Sequence, residues 1–188
     1  MGRNNNIITD FDLYFVAIIP PEPLVSKIRE MKLVACHNFQ SCAAMKSPPH
    51  ITLHMPFRWK KKKEEKLFTF FKEFQADVSA FKVEVNGVDH FGDRVIYLSI
   101  AANSMMMHLQ STLVKSMKRE LNLFNAQYKG KAFHPHITLA FRDLKKHHFE
   151  PAISHFKSMG LLESFQSDCY TLLKHDGNQW HSFREYVY

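Results

Sequence analysis

Two stretches of this chain carry the same four residues, His50-Ile51-Thr52-Leu53 and His136-Ile137-Thr138-Leu139, each directly after a proline, Pro49 or Pro135. Side chains of an extended strand alternate between faces, so His50 and Thr52 share one face while Ile51 and Leu53 share the other; the second copy divides in the same way. Each copy therefore offers an imidazole, which gives or takes a proton near neutral pH, beside a hydroxyl that can donate a hydrogen bond to an anionic oxygen. Two such pairs facing one cleft make an acid, a base and two donors for a phosphate. A single H-x-T is ordinarily an edge or half-buried histidine, whereas an identical tetrapeptide at matching places in two halves of a chain points to a functional pair.

The elements that must position these residues recur in the same order. Leu13 to Ile19 reads as a buried strand, Pro20, Pro21 and Pro23 punctuate a helix start, and Leu24, Ile28, Met31 and Ala35 keep the helical period ahead of the first motif strand. Leu67, Phe70, Phe71 and Phe74 predict a second amphipathic helix, followed by a strand from Phe81 to Val88. The pattern then repeats, with a strand over Val95 to Ile100, a helix lined by Met106, Leu109, Leu113, Met117 and Leu121, and the second motif strand over His134 to Phe141. Pro151 suits the first turn of a helix that carries Ile153 and Phe156 and ends near Gly160. Phe165 to Lys174 reads as one strand, and Asp176-Gly177 as the turn of a hairpin returning through Trp180 to Val187. The halves meet near Phe91 to Arg94. A pseudo-twofold between them brings the two motif faces together across a central groove.

Composition narrows the partner. A formal charge of +7 and a pI near 9.3 favour polyanions, of which nucleic acid and nucleotides are the commonest. Most of the 17 phenylalanines fall on apolar faces and read as core. Three cysteines, Cys36, Cys42 and Cys169, show no C-x-x-C spacing and leave an odd thiol; that favours a reducing, cytoplasmic setting over a disulfide framework or a cysteine zinc site. The apolar stretch from Leu13 to Ile19 is too short for a signal peptide or a membrane span, so no membrane partner is expected. Walker A, G-x-G-x-x-G and G-x-S-x-G motifs are absent, which disfavours NTPase, dinucleotide and serine-hydrolase readings.

Further candidate substrate contacts flank the motifs. Lys60 to Lys63 with Lys66 read as a solvated helix start; cations there oppose the macrodipole, which leaves room for a second role on RNA phosphates. Phe57 and Trp59 beside them offer faces on which a base could stack. His54 and His134 each lie two or four residues from a motif histidine. Four histidines around one groove would suit zinc, but no carboxylate or thiolate stands at ligand spacing and the paired threonines would have no part in such a site. The expectation is therefore no metal, with His54 and His134 either facing substrate or supporting the groups that do.

Twin H-x-T strands in two halves of a short chain resemble the 2H phosphoesterase superfamily, in particular its branch of 2'-5' RNA ligases and RNA 2',3'-cyclic phosphodiesterases. The resemblance also takes in the opening strand Leu13 to Ile18 followed by prolines, and Pro135 to Ala140. It implies an α+β fold, a single bilobal domain over 1–188 whose internal repeat runs approximately 10–91 and 92–188. Each lobe would be an antiparallel sheet with helices packed outside, and the active-site groove would lie between them. It further implies His50 and His136 as the catalytic acid and base respectively, Thr52 and Thr138 as phosphate-binding residues, and no cofactor. The implied reaction is hydrolysis of a 2',3'-cyclic phosphate on an RNA end or nucleotide to a 2'-phosphate, with 2'-5' linkage formation in some members, by a monomer. The chain departs from the branch in two places: it has Met55-Pro56-Phe57 where Phe-Leu-Gly is common, and Phe141 where Arg is common, with Arg142 next to it. Two other readings are open, a phosphodiesterase of another substrate such as 2'-5' oligoadenylate or ADP-ribose cyclic phosphate, and a binding module without turnover. A turnover assay separates them.

Overall fold

A computed structural model describes residues 10–125 and 132–188, and among these the chain forms eight strands and four α-helices. The first half contributes β1 (Phe11–Ile18), α1 (Leu24–Phe39), β2 (Ile51–Lys60), α2 (Glu64–Glu73) and β3 (Phe81–Phe91). Then come β4 (Val95–Ile100), α3 (Ser104–Leu121), β5 (His136–Ala140), α4 (Lys146–Met159), β6 (Leu162–Ser167), β7 (Cys169–His175) and β8 (Trp180–Val187). They form two antiparallel four-stranded sheets, in the order β2-β1-β7-β8 and β5-β4-β3-β6. Alternation along β1 sends Tyr14, Val16 and Ile18 into the main core and Phe15 and Ala17 to the opposite face. The main core is one cluster fed by both sheets and all four helices.

The sheets are not the two halves of the sequence. The strand β3 belongs by position to the first half but pairs with β4, while β7 and β8 from the far end return to β1. A boundary near residue 91 therefore does not separate the lobes. What reads as one strand from Phe165 to Lys174 is two: the chain leaves the second sheet after Ser167, turns at Asp168 and enters the first at Cys169. Strand-forming residues stand on both sides, and the polar Gln166-Ser167-Asp168 between them is the local mark of the crossover.

The helix containing Pro151 begins at Lys146, five residues earlier than expected, with the proline inside it. Burial of Phe149 against the sheet favours the added turn, which offsets the backbone bond the proline cannot make. Cys36 and Cys42 form a disulfide, contrary to the reading from cysteine spacing. The αL residue Gln40 folds the chain back just after α1 and brings the second cysteine onto its last turn. No helix among the described residues is long and apolar enough to cross a membrane.

The turn that follows is tied to the other half of the molecule. Asp143, three residues beyond β5, accepts hydrogen bonds from the backbone N–H groups of Cys42 and Ala43 and from the Ser41 hydroxyl, all at 2.8 Å. It acts as the N-terminal cap of the short 3-10 turn Ala43–Lys46. Replacing Asp143 with alanine is expected to destabilise the fold by about 1 kcal/mol. Urea unfolding checks this, and an unchanged midpoint would mean that water replaces the carboxylate without loss.

Candidate active site

The motif strands β2 and β5 are outer strands of their sheets, and they are brought against one another where the sheets meet. Each is backed by the helix that precedes the other: α3 packs on β2, with Gln110 donating to the Leu53 carbonyl at 3.3 Å, and α1 packs on β5. Ile51, Leu53, Ile137 and Leu139 are fully buried beneath them, which fixes the opposite faces of both strands. His50, Thr52, His136 and Thr138 are half-buried. Among the described residues, neither threonine hydroxyl is engaged by the protein, so both are open to an incoming anion.

The two copies agree in register. Ala17 pairs with Thr52 and Ile18 with Ile51, just as Tyr97 pairs with Thr138 and Leu98 with Ile137. Both ladders then slip by one residue at the same point, so that Val16 faces His54 and Ile96 faces Ala140. A bulge at this point ends the alternation after three residues and turns the next side chain inward.

The bulge corrects one expected contact. His54 does not share the face of His50; it points with Val16 into the core, is 1% exposed, and holds the Met55 carbonyl with Nδ1 at 2.8 Å. Its buried Nε2 has no partner, and burial holds its pKa below the usual histidine value. The four-histidine cluster is accordingly not assembled, and the described residues contain no group of three His, Cys, Asp or Glu that could hold a metal.

Phe57 and Trp59 are likewise core residues, 8% exposed each, with the Trp59 indole donating to the Lys63 carbonyl at 2.7 Å. A second slip between Tyr14 and Val16 returns β2 to its original parity and keeps these aromatics inside. Lys60 stands over the ring of Phe11 at the far end of β2, some ten strand positions from His50 and so about 30 Å away. The Lys61–Lys63 turn beside it cannot reach a phosphate held by the motif histidines. His134 is exposed beside His136, with their rings 6.2 Å apart. Arg142, in the left-handed region at φ 60°, folds its guanidinium over Phe141.

Each motif histidine is held in the same way. His50 Nδ1 bonds the Pro48 carbonyl at 2.8 Å and His136 Nδ1 bonds the His134 carbonyl at 2.7 Å, in both cases two residues upstream. A carbonyl only accepts, so both Nδ1 atoms carry the proton and both neutral rings present an Nε2 lone pair. Burial lowers the pKa of His50 to about 3, helped by the nearby charges of Lys32 and His136 and opposed by the Pro48 bond. Burial also lowers that of His136, with His134 adding to the effect and its carbonyl opposing it. The two rings thus sense one another and rest neutral at pH 7.

Several residues here carry no local signal in the sequence. Phe15 packs against His50 with ring centroids 4.8 Å apart, and Trp180 stands edge-on to Phe15 at 4.7 Å. On the other side Phe91, 39% exposed, lies on Tyr97 at 4.2 Å and edge-on to His136 at 5.1 Å. Lys32, on the apolar face of α1, is 2% exposed and donates to the Ala44 and Ser47 carbonyls, each at 3.2 Å. Its helical spacing with Ile28 and Ala35 was the one available hint that a lysine lies in the core.

The whole arrangement has counterparts. The structure of E. coli LigT complexed with 3'-AMP superposes with a TM-score of 0.64 at 17% identity, covering 94% of this chain and 98% of that one. TT0787 of Thermus thermophilus gives a TM-score of 0.63 at 17% identity, covering 93% and 97%. At these identities the likeness establishes the fold, two antiparallel sheets with helices outside. No curated protein sequence matches the chain. The model of the 2'-5' RNA ligase superfamily matches residues 20–179, most of the chain, and the protein therefore belongs to that superfamily of 2H phosphoesterases.

Proposed function

We propose that the protein is a metal-independent phosphodiesterase that hydrolyses a 2',3'-cyclic phosphate, on an RNA end or a nucleotide, to a 2'-phosphate. The observation that carries this reading is the matched presentation of two Nε2 lone pairs by His50 and His136, each locked by a carbonyl two residues upstream, beside two unengaged threonine hydroxyls. Solved structures of E. coli LigT with 3'-AMP and with phosphate lend support, since a phosphate ester is what such a groove would receive.

In the reaction, one histidine takes a proton from water as the water oxygen bonds to phosphorus. The other, protonated, gives its proton to the ribose 3'-oxygen as the phosphorus–3'-oxygen bond breaks. The products are a 2'-phosphate and a free 3'-hydroxyl, and the histidines have exchanged protonation states. Thr52 and Thr138 donate to the non-bridging oxygens, where charge gathers in the transition state. With a 5'-hydroxyl in place of water, the same steps would form a 2'-5' linkage.

Adenosine 2',3'-cyclic phosphate incubated with the protein in excess EDTA is expected to yield adenosine 2'-phosphate alone, as resolved by chromatography against both isomers. Exclusive 3'-phosphate would reverse the roles of the ribose oxygens. Activity that disappears with chelator and returns with zinc would make the site a metal centre.

A further inference from the structure

Lys32 is costly where it stands. A buried ammonium is strongly disfavoured unless a negative group compensates it, and two neutral carbonyls do so only in part. Among the described residues no carboxylate pairs with Lys32, and its third N–H has no acceptor. Burial lowers its pKa to about 7. The duplicated half shows that the fold does not require a cation there: one constant shift in numbering carries the buried Leu24, Ile28, Met31, Ala35 and Phe39 of α1 onto Met106, Gln110, Leu113, Met117 and Leu121 of α3, and it carries Lys32 onto Val114.

Lys32 lines a cavity of about 300 Å³ on the flank of the first motif, roughly the volume at which small-ligand sites begin. Its walls are α1, the segment Ser47–Pro49 that leads into His50, and the start of β8. Arg29, three residues before Lys32 on α1, also lines it and has no ion pair among the described residues. The carboxylate in the wall, Glu22, is engaged by the Ser26 hydroxyl at 2.9 Å and the Ser26 backbone N–H at 3.3 Å, and His181 is paired with Asp176 at 2.7 Å. Trp180 lines this cavity and packs edge-on against Phe15, the ring that packs against His50.

Building on the reaction proposed above, we propose that this cavity is a second anion site, which holds the 5'-phosphate of the nucleotide whose cyclic phosphate lies at His50 and His136, with Lys32 and Arg29 as its cations. The 5'-phosphate belongs either to a free nucleotide or to the next linkage of an RNA chain, whose preceding base would then lie against Trp180.

Three substrates separate these cases: adenosine 2',3'-cyclic phosphate with a 5'-hydroxyl, the same nucleotide with a 5'-phosphate, and the dinucleotide ApA ending in the cyclic phosphate. For the unaltered protein, kcat/KM is expected to rise at least tenfold from the first to the second. Arg29→Glu should abolish this gain while leaving the 5'-hydroxyl substrate within twofold. A further gain with the dinucleotide, lost in Trp180→Ala when the two phosphorylated substrates are compared, identifies RNA as the source; no further gain identifies the free nucleotide. Equal kcat/KM for the first two substrates, or an equal loss on all three in Arg29→Glu, overturns the site. Should no cyclic phosphate be turned over, calorimetry with 5'-AMP against adenosine decides alone. A preference for 5'-AMP that Arg29→Glu removes upholds the cavity without the phosphodiesterase reading, and no preference removes both.

Discussion

Turnover of a 2',3'-cyclic phosphate is expected to fall by about 10²- to 10⁴-fold when either His50 or His136 becomes alanine, because in the proposed reaction each carries one of the two proton transfers. Alanine at Thr52 or Thr138 removes one donor to the developing charge and should cost about 10²-fold. These are losses of kcat with folding intact, which thermal unfolding of each variant verifies. A substrate whose leaving group needs no protonation assigns the roles. By the superfamily resemblance His50 is the acid, so that substrate should largely rescue His50→Ala and leave His136→Ala inactive. The surroundings of His50 make a demand on this assignment: Lys32 opposes a proton on the ring, and a bound phosphate must offset that charge before His50 can donate. Rescue of His136→Ala instead would exchange the roles. Equal loss on both substrates would mean that the histidines only bind phosphate.

The second large effect is on pH. Catalysis needs one ring protonated and one neutral, yet in the free protein both pKa values lie below the usual 6.5, that of His50 at about 3. The protonated fraction therefore declines through and above the pKa values of the coupled pair, and kcat/KM should fall about tenfold per unit as pH rises past the higher one. Activity at pH 5.5 is expected to exceed that at pH 7.5, and an optimum above pH 7.5 would contradict the burial of these rings. Stability moves the other way. The unfolded chain binds protons at its histidines near pH 6.5, whereas folded His50 binds one only near pH 3. Between these values the unfolded state holds more protons, so this contribution to stability is complete above about pH 6.5 and is lost as pH falls towards 3.

What the sequence by itself determined was the pairing of a histidine with a threonine on each motif strand, and most of the elements. His50, Thr52, His136 and Thr138 were legible because three residues of strand suffice to place a histidine and a threonine together, and both copies keep their alternation that far. The strand Val95–Ile100 and the hairpin returning from Trp180 to Val187 were legible for the same reason, since local pattern and turn chemistry specify them. Everything that depended on pairing was decided by the tertiary structure. A bulge beyond Leu53 turned His54 into the core, a second slip restored the parity that keeps Phe57 and Trp59 on the buried face with Ile51 and Leu53, and the crossover at Asp168 sent β7 to the first sheet. Lys32, Phe91 and Trp180 reached the site only because strands distant in sequence closed around it. Alternation is a property of a few consecutive residues. Bulges, sheet exchange and the burial of a lysine follow from which strand lies alongside, and that is settled by the core that all the elements share.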